Sequence, residues 1–490
     1  MQTIPGIESL THHRLLVGES WRPARAGESY RVRSPATGEE VAELAAAGPG
    51  DVDDAFEAAS AAFLRHERAG AFERAGWCEA VADVLDARSE GIARELTAEH
   101  GKPLRDSLGE VASAAAGFRL AAAEGRRLGG ETIPVADPHK RVLTARHPKG
   151  VWAVITPWNF PINIPVEYIG PALATGNAVV WKPAPTTSRV AVRLVECVLE
   201  AGVPPGLLNL VTGPSVETAR HLVSHPRAIG VGFTGSTAVG EQVAAGAAGK
   251  HLMLELGGNG PVIVLGDADV ERTAAAVASA AFWNAGQSCA AAERILVESP
   301  AHEALVDALG ATARAMRLGD PFDATTEIGP VHNAATAAKM DEHVADAVEH
   351  GARLVAGGSR KEGWPTPLYY EPTVLEDVPA GARVQREETF GPIAPVTRVD
   401  GDAAVLELAS SSLGLSAAIF TRDVARAMRL AERLRCGQVV VNDTSNYWEL
   451  HMPFGGWPGT GSGIGRVGGR YALEAMTDVR SIAIDLRGEG

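Results

Sequence analysis

The 490-residue chain is poor in cysteine: Cys78, Cys197, Cys289 and Cys436 are widely spaced, with no CxxC pair. That argues against a disulfide framework, a zinc site or any other metal centre, and makes a reducing cytoplasm the natural compartment. Positive charge is also in deficit. Lys and Arg number 45 against 60 Asp and Glu, a formal net charge of −15, so no basic footprint is offered to nucleic acid or to an anionic membrane surface. The longest uncharged stretch, Thr273 to Ala292, is alanine-rich and carries Asn284, Gln287 and Ser288, which suits a buried helix and loop rather than a membrane span. The N-terminus, MQTIPGIESLTHHRLL, lacks a basic region followed by an apolar core, so no secretory leader is read.

What is present is ample. The length suffices for two or three domains, each burying its own core. With 46% hydrophobic and 21% charged residues and 54 glycines, the composition is that of a globular α/β protein rather than a collagen-like, disordered or coiled-coil one. Strand-like runs such as VWAVITPW and NAVVWKP alternate with alanine-rich helical stretches such as VEYIGPALATG and SRVAVRLVECVLEAG, the pattern of a parallel sheet with crossover helices. No repeat or low-complexity linker marks a domain boundary.

Three segments carry residues suited to chemistry. FWNAGQSCAA, residues 282–291, sets Cys289 among small polar residues after an apolar helical run. Such a loop can expose a thiol, although a lone cysteine is ordinarily a small buried hydrophobe. HLMLELGGNGP ends an apolar run on Glu255, followed by Leu256, Gly257 and Gly258. A carboxylate there suits a general base, or simply a solvated strand end. ITPWNFP places Asn159 between Pro157 and Pro161, where its amide can donate to a developing oxyanion or merely form a turn.

Taken together these segments resemble the aldehyde dehydrogenase superfamily, nearest in look to its semialdehyde dehydrogenases. ITPWNFP, GNAVVWKP, VGFTGSTAVG, LELGGNGP, FWNAGQSCAAAERILV, YYEPTVL, EETFGP and PFGG occur in the family's order, across nearly the whole chain. The resemblance implies a Rossmann-like nucleotide-binding domain (1–126 and 147–257), an α/β catalytic domain (258–457) and a small β extension (127–146 and 471–490) that joins subunits into a homodimer or homotetramer. It implies that Cys289 is the nucleophile and forms a thiohemiacetal, with the oxyanion held by Asn159 and the Cys289 N–H. Glu255 is then the base that activates water against the resulting thioester, so a free acid is released.

Two glycine motifs compete for the dinucleotide. Gly463-Ile464-Gly465-Arg466-Val467-Gly468 fits GxGxxG, but only 22 residues follow it, too few for further nucleotide-binding structure. Gly235-Ser236-Thr237-Ala238-Val239-Gly240 follows the strand-like Ile229 to Phe233 and opens a helix, which offers backbone N–H groups to a pyrophosphate. The resemblance adds Thr156, Trp158, Lys182, Pro185, Leu256, Glu388 and Phe390 to Gly235, Ser236 and Gly240 as cofactor-binding positions. Many NAD-preferring members carry a glutamate where this chain has Pro185. Its absence removes a repulsion against a 2′-phosphate, leaving NAD and NADP both open.

The substrate is expected to be a small functionalised aldehyde or semialdehyde, in a pocket of Glu167, Ser288, Tyr447, Trp448, His451 and Phe454. In the succinic-semialdehyde branch an arginine often stands where this chain has Glu167, and a carboxylate there opposes an anionic tail. Arg119 reads as a surface residue with a possible role toward anions. The competing readings are a cofactor-independent acyl hydrolase using Cys289 and a catalytically silent binding homologue.

Overall fold

Five apolar strands form the parallel centre of the first sheet. In space they run His251–Glu255, Ala228–Thr234, Val151–Ile155, Ala178–Lys182 and Leu208–Leu210. Their residues are buried on both faces, which explains why they read as continuous apolar runs rather than as alternating ones. The chain moves outward in one direction from Val151–Ile155. It then returns to place Ala228–Thr234 on that strand's other side. This reversal opens a crevice at the carboxyl ends of the two neighbouring strands, the usual ligand position in a doubly wound sheet. The computed structural model describes residues 10–410 and 413–487; the first nine residues of the N-terminal stretch and the last three of the expected extension lie outside them.

The sheet's edges are antiparallel. Leu15–Val17 and Ser20–Arg22 close one side and Gly463–Ile464 the other. The late GxGxxG segment therefore supplies an edge strand beside Leu254 and Glu255. Helices Asn163–Thr175 and Ser188–Glu200 are the crossovers that follow the first two central strands. The second carries an apolar stripe of Val190, Leu194, Val195 and Val198 into the core.

A second sheet has the order Arg353–Ala356, Thr373–Glu376, Ile393–Arg398, Arg294–Val297, Pro261–Val264, Ser416–Phe420 and Gln438–Val441, parallel except at its first member. It buries its own apolar clusters. The loops that enter its strands, rather than those that leave them, face the crevice of the first sheet.

In the third sheet Thr477–Asp485 pairs antiparallel with Lys140–Pro148 along nine residues, and Thr132–Ile133 joins on the far side. The two late and early strand-like segments thus satisfy one edge of each other. Val479, Ile482, Ile484 and Leu486 remain exposed on this ribbon. Helix Gly469–Ala475, whose later part falls in the interval 471–490, packs through Ala472 and Leu473 into the core of the first sheet, because those residues form its apolar face. No described helix is long and apolar enough to cross a membrane.

Candidate active site

Helix Val270–Phe282 ends where Asn284 and Ala285 adopt left-handed φ of 53° and 55°, which turns the chain sharply out of the helix and toward Cys289. Non-glycine residues in that region are strained, so the surroundings must hold them there. The Gln287 side chain does so: its Nε2 donates to Asn284 O at 2.9 Å and its Oε1 accepts from the His332 N–H at 2.7 Å. Cys289 is half-buried while its neighbours are buried, and its wall is shared by two cavities.

Asn159 leaves the strand Val151–Ile155 through a short loop and meets this turn. Its Nδ2 donates to Gln287 O at 3.2 Å, and its buried Oδ1 has no hydrogen-bond partner among the described residues. Behind the loop lies a buried ion pair that sequence reasoning did not find. Lys102 Nζ sits 2.6 Å from Glu110 Oε2 and donates to Asn159 O at 2.8 Å. Glu110 Oε1 accepts from the N–H groups of Ile162 and Asn163 at 2.9 and 3.2 Å. Every polar atom of the pair is thereby employed in fixing the backbone on both sides of Phe160. Glu110 shares the buried stripe of helix Leu104–Arg127 with Ser107, Val111 and Ala114, and the distant loop explains why that inward position is a carboxylate.

Glu255 ends its strand buried, not solvated, and its Oε2 lacks a partner among the described residues. Gly258 allows the next turn to pass directly over the Cys289 carbonyl, where a Cβ would overlap the oxygen. The segment after it is clamped by Arg294, whose guanidinium is buried and donates to Asn259 O at 2.7 Å and to Leu408 O at 2.8 Å. Burial, followed by the charge of Glu167, pushes the Glu255 carboxyl well above the usual carboxylate range. Burial, with Glu388, Glu255 and Glu167 around it, likewise pushes the Cys289 thiol up, so the resting group is a neutral thiol.

The first cavity, of about 330 Å³, opens at the carboxyl ends of the central strands. Trp158, Gly235, Ser236, Leu256, Glu388 and Phe390 line it together with Cys289. Ser236 is the N-cap of helix Thr237–Gly246 and its side chain makes no capping bond, which leaves the helix start facing the cavity. Gly240 is buried one turn later, where a Cβ would overlap Leu256; it serves close packing rather than ligand contact. Glu388 Oε1 accepts from the Gly258 N–H at 2.9 Å. Buried Glu293, another residue not anticipated, accepts from the N–H groups of Thr389 and Phe390, both at 2.7 Å, and so fixes that wall.

Besides Gly240, three of the cofactor positions do not line the cavity. The Thr156 hydroxyl accepts from Trp181 Nε1 at 2.9 Å and acts as a buried strut. Lys182 is buried, donates to Gly213 O at 2.7 Å, and is held down to about 8 by burial. Pro185 starts the short 3-10 turn Pro185–Thr187, which is tied to His332 by Thr186 Oγ1 at 2.8 Å. No carboxylate takes Pro185's place beside Lys182.

The second cavity, of about 580 Å³, lies on the other side of Cys289. Glu167, Ser288, Trp448, His451 and Phe454 line it with Glu255 and Asn446. Ser288 is bound to Asn446 Oδ1 at 2.9 Å. Tyr447 is not part of this wall: it is exposed, and its hydroxyl donates to Glu449 Oε1 at 2.8 Å. Arg119 is likewise a surface residue, engaged with Asp83 and Asp86 at 2.8 and 2.7 Å.

A thiol, a buried carboxyl and an amide thus converge between two cavities, and the model of the aldehyde dehydrogenase family matches residues 21–482. The chain belongs to the aldehyde dehydrogenase family. It is 37% identical over 478 residues to a glutarate-semialdehyde dehydrogenase of Pseudomonas aeruginosa, covering 97% of this chain and 98% of that one. It is also 37% identical over 481 residues to the NADP(+) succinate-semialdehyde dehydrogenase of Escherichia coli, covering 98% and 99%. The solved structure of an NAD-dependent aldehyde dehydrogenase from Sinorhizobium meliloti matches with a TM-score of 0.95 at 33% identity, covering 100% and 97%. As an aldehyde dehydrogenase the protein oxidises an aldehyde to the acid and uses NAD(P).

Proposed function

We infer that Cys289 is the nucleophile of this aldehyde dehydrogenase, Asn159 its oxyanion donor and Glu255 its general base, with release of a free carboxylic acid. The observation that carries the reading is the meeting of these three groups where a cavity suited to a dinucleotide adjoins a cavity suited to an aldehyde. Attack forms a bond from Cys289 Sγ to the carbonyl carbon as the thiol proton leaves to water in the cavity. The alkoxide of the thiohemiacetal is stabilised by Asn159 Nδ2, which the Gln287 carbonyl and the Lys102–Glu110 pair hold in one orientation. The nicotinamide dinucleotide, when bound, supplies the hydride acceptor. Glu255, having shed its proton, then takes one from water, whose oxygen attacks the thioester and restores the Cys289 sulfur.

The donors present fit a dinucleotide: the uncapped start of helix Thr237–Gly246 for phosphate, and Glu388 with Phe390 toward the nicotinamide end; Lys182 lies outside the cavity wall and would reach a ribose or its phosphate only by giving up its bond to Gly213 O. With no carboxylate at Pro185, we infer that NADP is accepted as well as NAD. The same reading extends to assembly and compartment: a homodimer or homotetramer joined along the exposed ribbon of 132–148 and 477–485, in a reducing cytoplasm that suits four unpaired thiols.

Reduced-dinucleotide absorbance across a panel of aldehydes tests the reaction. Cys289→Ala should abolish turnover. Glu255→Gln should keep a first-turnover burst while slowing steady-state turnover by about 10²-fold or more. Normal steady-state turnover in Glu255→Gln removes the base assignment, and activated-ester hydrolysis without any dinucleotide-dependent oxidation removes the reaction itself. Because Glu255 acts as a carboxylate and burial holds it protonated, the wild-type rate should climb as pH rises above neutrality. A rate already maximal at pH 5 contradicts that role.

A further inference from the structure

The aldehyde cavity is unusual in the sign of what lines it. Three carboxyl side chains reach it, from Glu167, Glu255 and Glu449, while neither lysine nor arginine is among its lining residues. The charge of Arg466 acts on Glu255, and its Nη1 donates to Gly456 O at 2.7 Å and Gly465 O at 2.6 Å. The ammonium of Lys102 lies behind the Asn159 loop, paired with Glu110. His451 stands at the rim, 3.6 Å from Glu449, so any charge it takes is answered before a substrate arrives.

Glu167 is the member without an assigned task. It sits one helical turn after Asn163, whose Nδ2 donates to its Oε1 at 3.3 Å. Burial alone pushes its carboxyl up to about 8, and no cation of the protein offsets that penalty. Aromatic rings share the wall with aliphatic and neutral polar groups such as Ile164, Thr234, Asn446 and Leu450. Phe160 stacks on Trp283 at 5.1 Å between ring centroids, and Trp448 is tilted against Phe454 at 5.7 Å. Phe160 already has the Lys102 ammonium over its ring, 4.4 Å from the centroid, so the pair left to a ligand cation is Trp448 and Phe454; a carboxylate that shares a cavity with such rings is a receptor for a positive charge, because the ring quadrupole and the carboxylate attract the same ion. An anionic tail would meet like charge and no donor fork to replace its lost water.

We propose that this cavity takes an aldehyde bearing an ammonium group at its far end, with Glu167 facing the cation. This rests on the reading of Cys289 as the reactive centre. It departs from the anionic substrates in the names of the semialdehyde relatives, and the place of departure is one side chain on the wall of the cavity.

The test is a set of three aldehydes with equal spacers and different far ends: 4-trimethylammoniobutanal, 5,5-dimethylhexanal and 5-oxopentanoate. The ammonium aldehyde should exceed its neutral isostere about tenfold in kcat/KM, and the carboxylate about a hundredfold or more. Glu167→Gln should collapse the cation-to-neutral ratio toward one, and Glu167→Arg should raise the 5-oxopentanoate value about tenfold. A neutral or anionic aldehyde ranking first overturns the proposal, as does an unchanged cation-to-neutral ratio in Glu167→Gln. A second readout does not need turnover: protection of Cys289 from alkylation by 4-trimethylammoniobutanol against 5-hydroxypentanoate. Selective protection by the cation with no oxidation of any aldehyde would sink the reaction assigned to Cys289 while sustaining the charge preference. Oxidation with equal protection by both alcohols does the reverse.

Discussion

The two cavities that meet at Cys289 are made of different materials. On the dinucleotide side the wall combines side chains such as Trp158, Leu256 and Phe390 with main chain at strand ends, a helix start, and loops pinned by Glu388 and Glu293 through backbone N–H groups. On the aldehyde side it is side chains: Phe160, Glu167, Trp283, Trp448 and His451 project from a helix, a turn and a loop. Groups of the first kind are set by the topology of the sheet and move only if the fold does. Groups of the second kind can be exchanged without altering any strand register. The fold therefore accounts for the reaction type, and a few side chains account for which aldehyde is admitted.

The strongest way to break this contrast is to strike the one support that serves both sides. Lys102 and Glu110 are buried, and they fix the loop from which Asn159 faces Cys289. Glu110→Ala strands a buried ammonium and frees two N–H groups, which should cost about 3–5 kcal/mol of stability. Displacement of the Asn159 amide should also lower kcat/KM roughly 10²-fold for every aldehyde and either dinucleotide alike. Thermal unfolding and steady-state kinetics measure both. The double variant Lys102→Met/Glu110→Leu should recover much of the stability without the rate. Full recovery of the rate would show that the pair is a structural filler rather than a positioning device.

A gentler substitution sharpens the contrast by touching one side only. Pro185→Glu places a carboxylate near Lys182 on the turn Pro185–Thr187. The kcat/KM ratio for NADP over NAD should fall about tenfold by charge repulsion against a 2′-phosphate. The ranking of aldehydes should not change. An unaltered ratio would show that residue 185 does not face the ribose, and an altered aldehyde ranking would show that the two cavities are not independent.

The difference in materials also explains what could be read from the sequence. Cys289, Glu255, Asn159 and the Gly235–Gly240 turn stand at the ends of strands or helices, where apolar periodicity stops abruptly, so their neighbours in sequence already mark them. The parallel sheet was legible for the same reason, from runs buried on both faces. Glu110, Glu293 and Arg294 gave no such signal. Glu110 and Arg294 belong to a helix and a strand and Glu293 to the loop just before that strand, and each answers a partner more than 30 residues away, so only the folded contact explains its polarity. Tyr447 misled in the opposite sense. An aromatic two residues from a carboxylate in a loop turned outward to bind Glu449, while its neighbour Trp448 took the cavity wall.

The smallest effect concerns the free energy of the aldehyde cavity itself. Glu167 has its carboxyl raised to about 8 by burial, whereas in the unfolded chain it titrates near the ordinary glutamate value. Below that ordinary value both states hold the proton and the residue is indifferent to folding. As pH rises from there toward 8 the unfolded chain releases the proton while the native one keeps it, so the native state loses stability; above about 8 the loss levels off. Glu167→Gln removes this dependence. The variant should therefore melt with wild type near pH 4.5 and above it at pH 8, by roughly 1–3 °C in a chain of this size. Glu255 keeps its own buried carboxyl in both proteins, but the charge of Glu167 also raises it, so the difference between the two melting curves reports Glu167 together with its coupling to Glu255. Bound 4-trimethylammoniobutanol should narrow that gap at pH 8, since a cation at Glu167 supplies the counter-charge that the protein does not. A gap that is independent of pH would mean that Glu167 is solvated from the cavity and pays no burial cost, and the side-chain wall would then be less dry than its aromatic lining suggests.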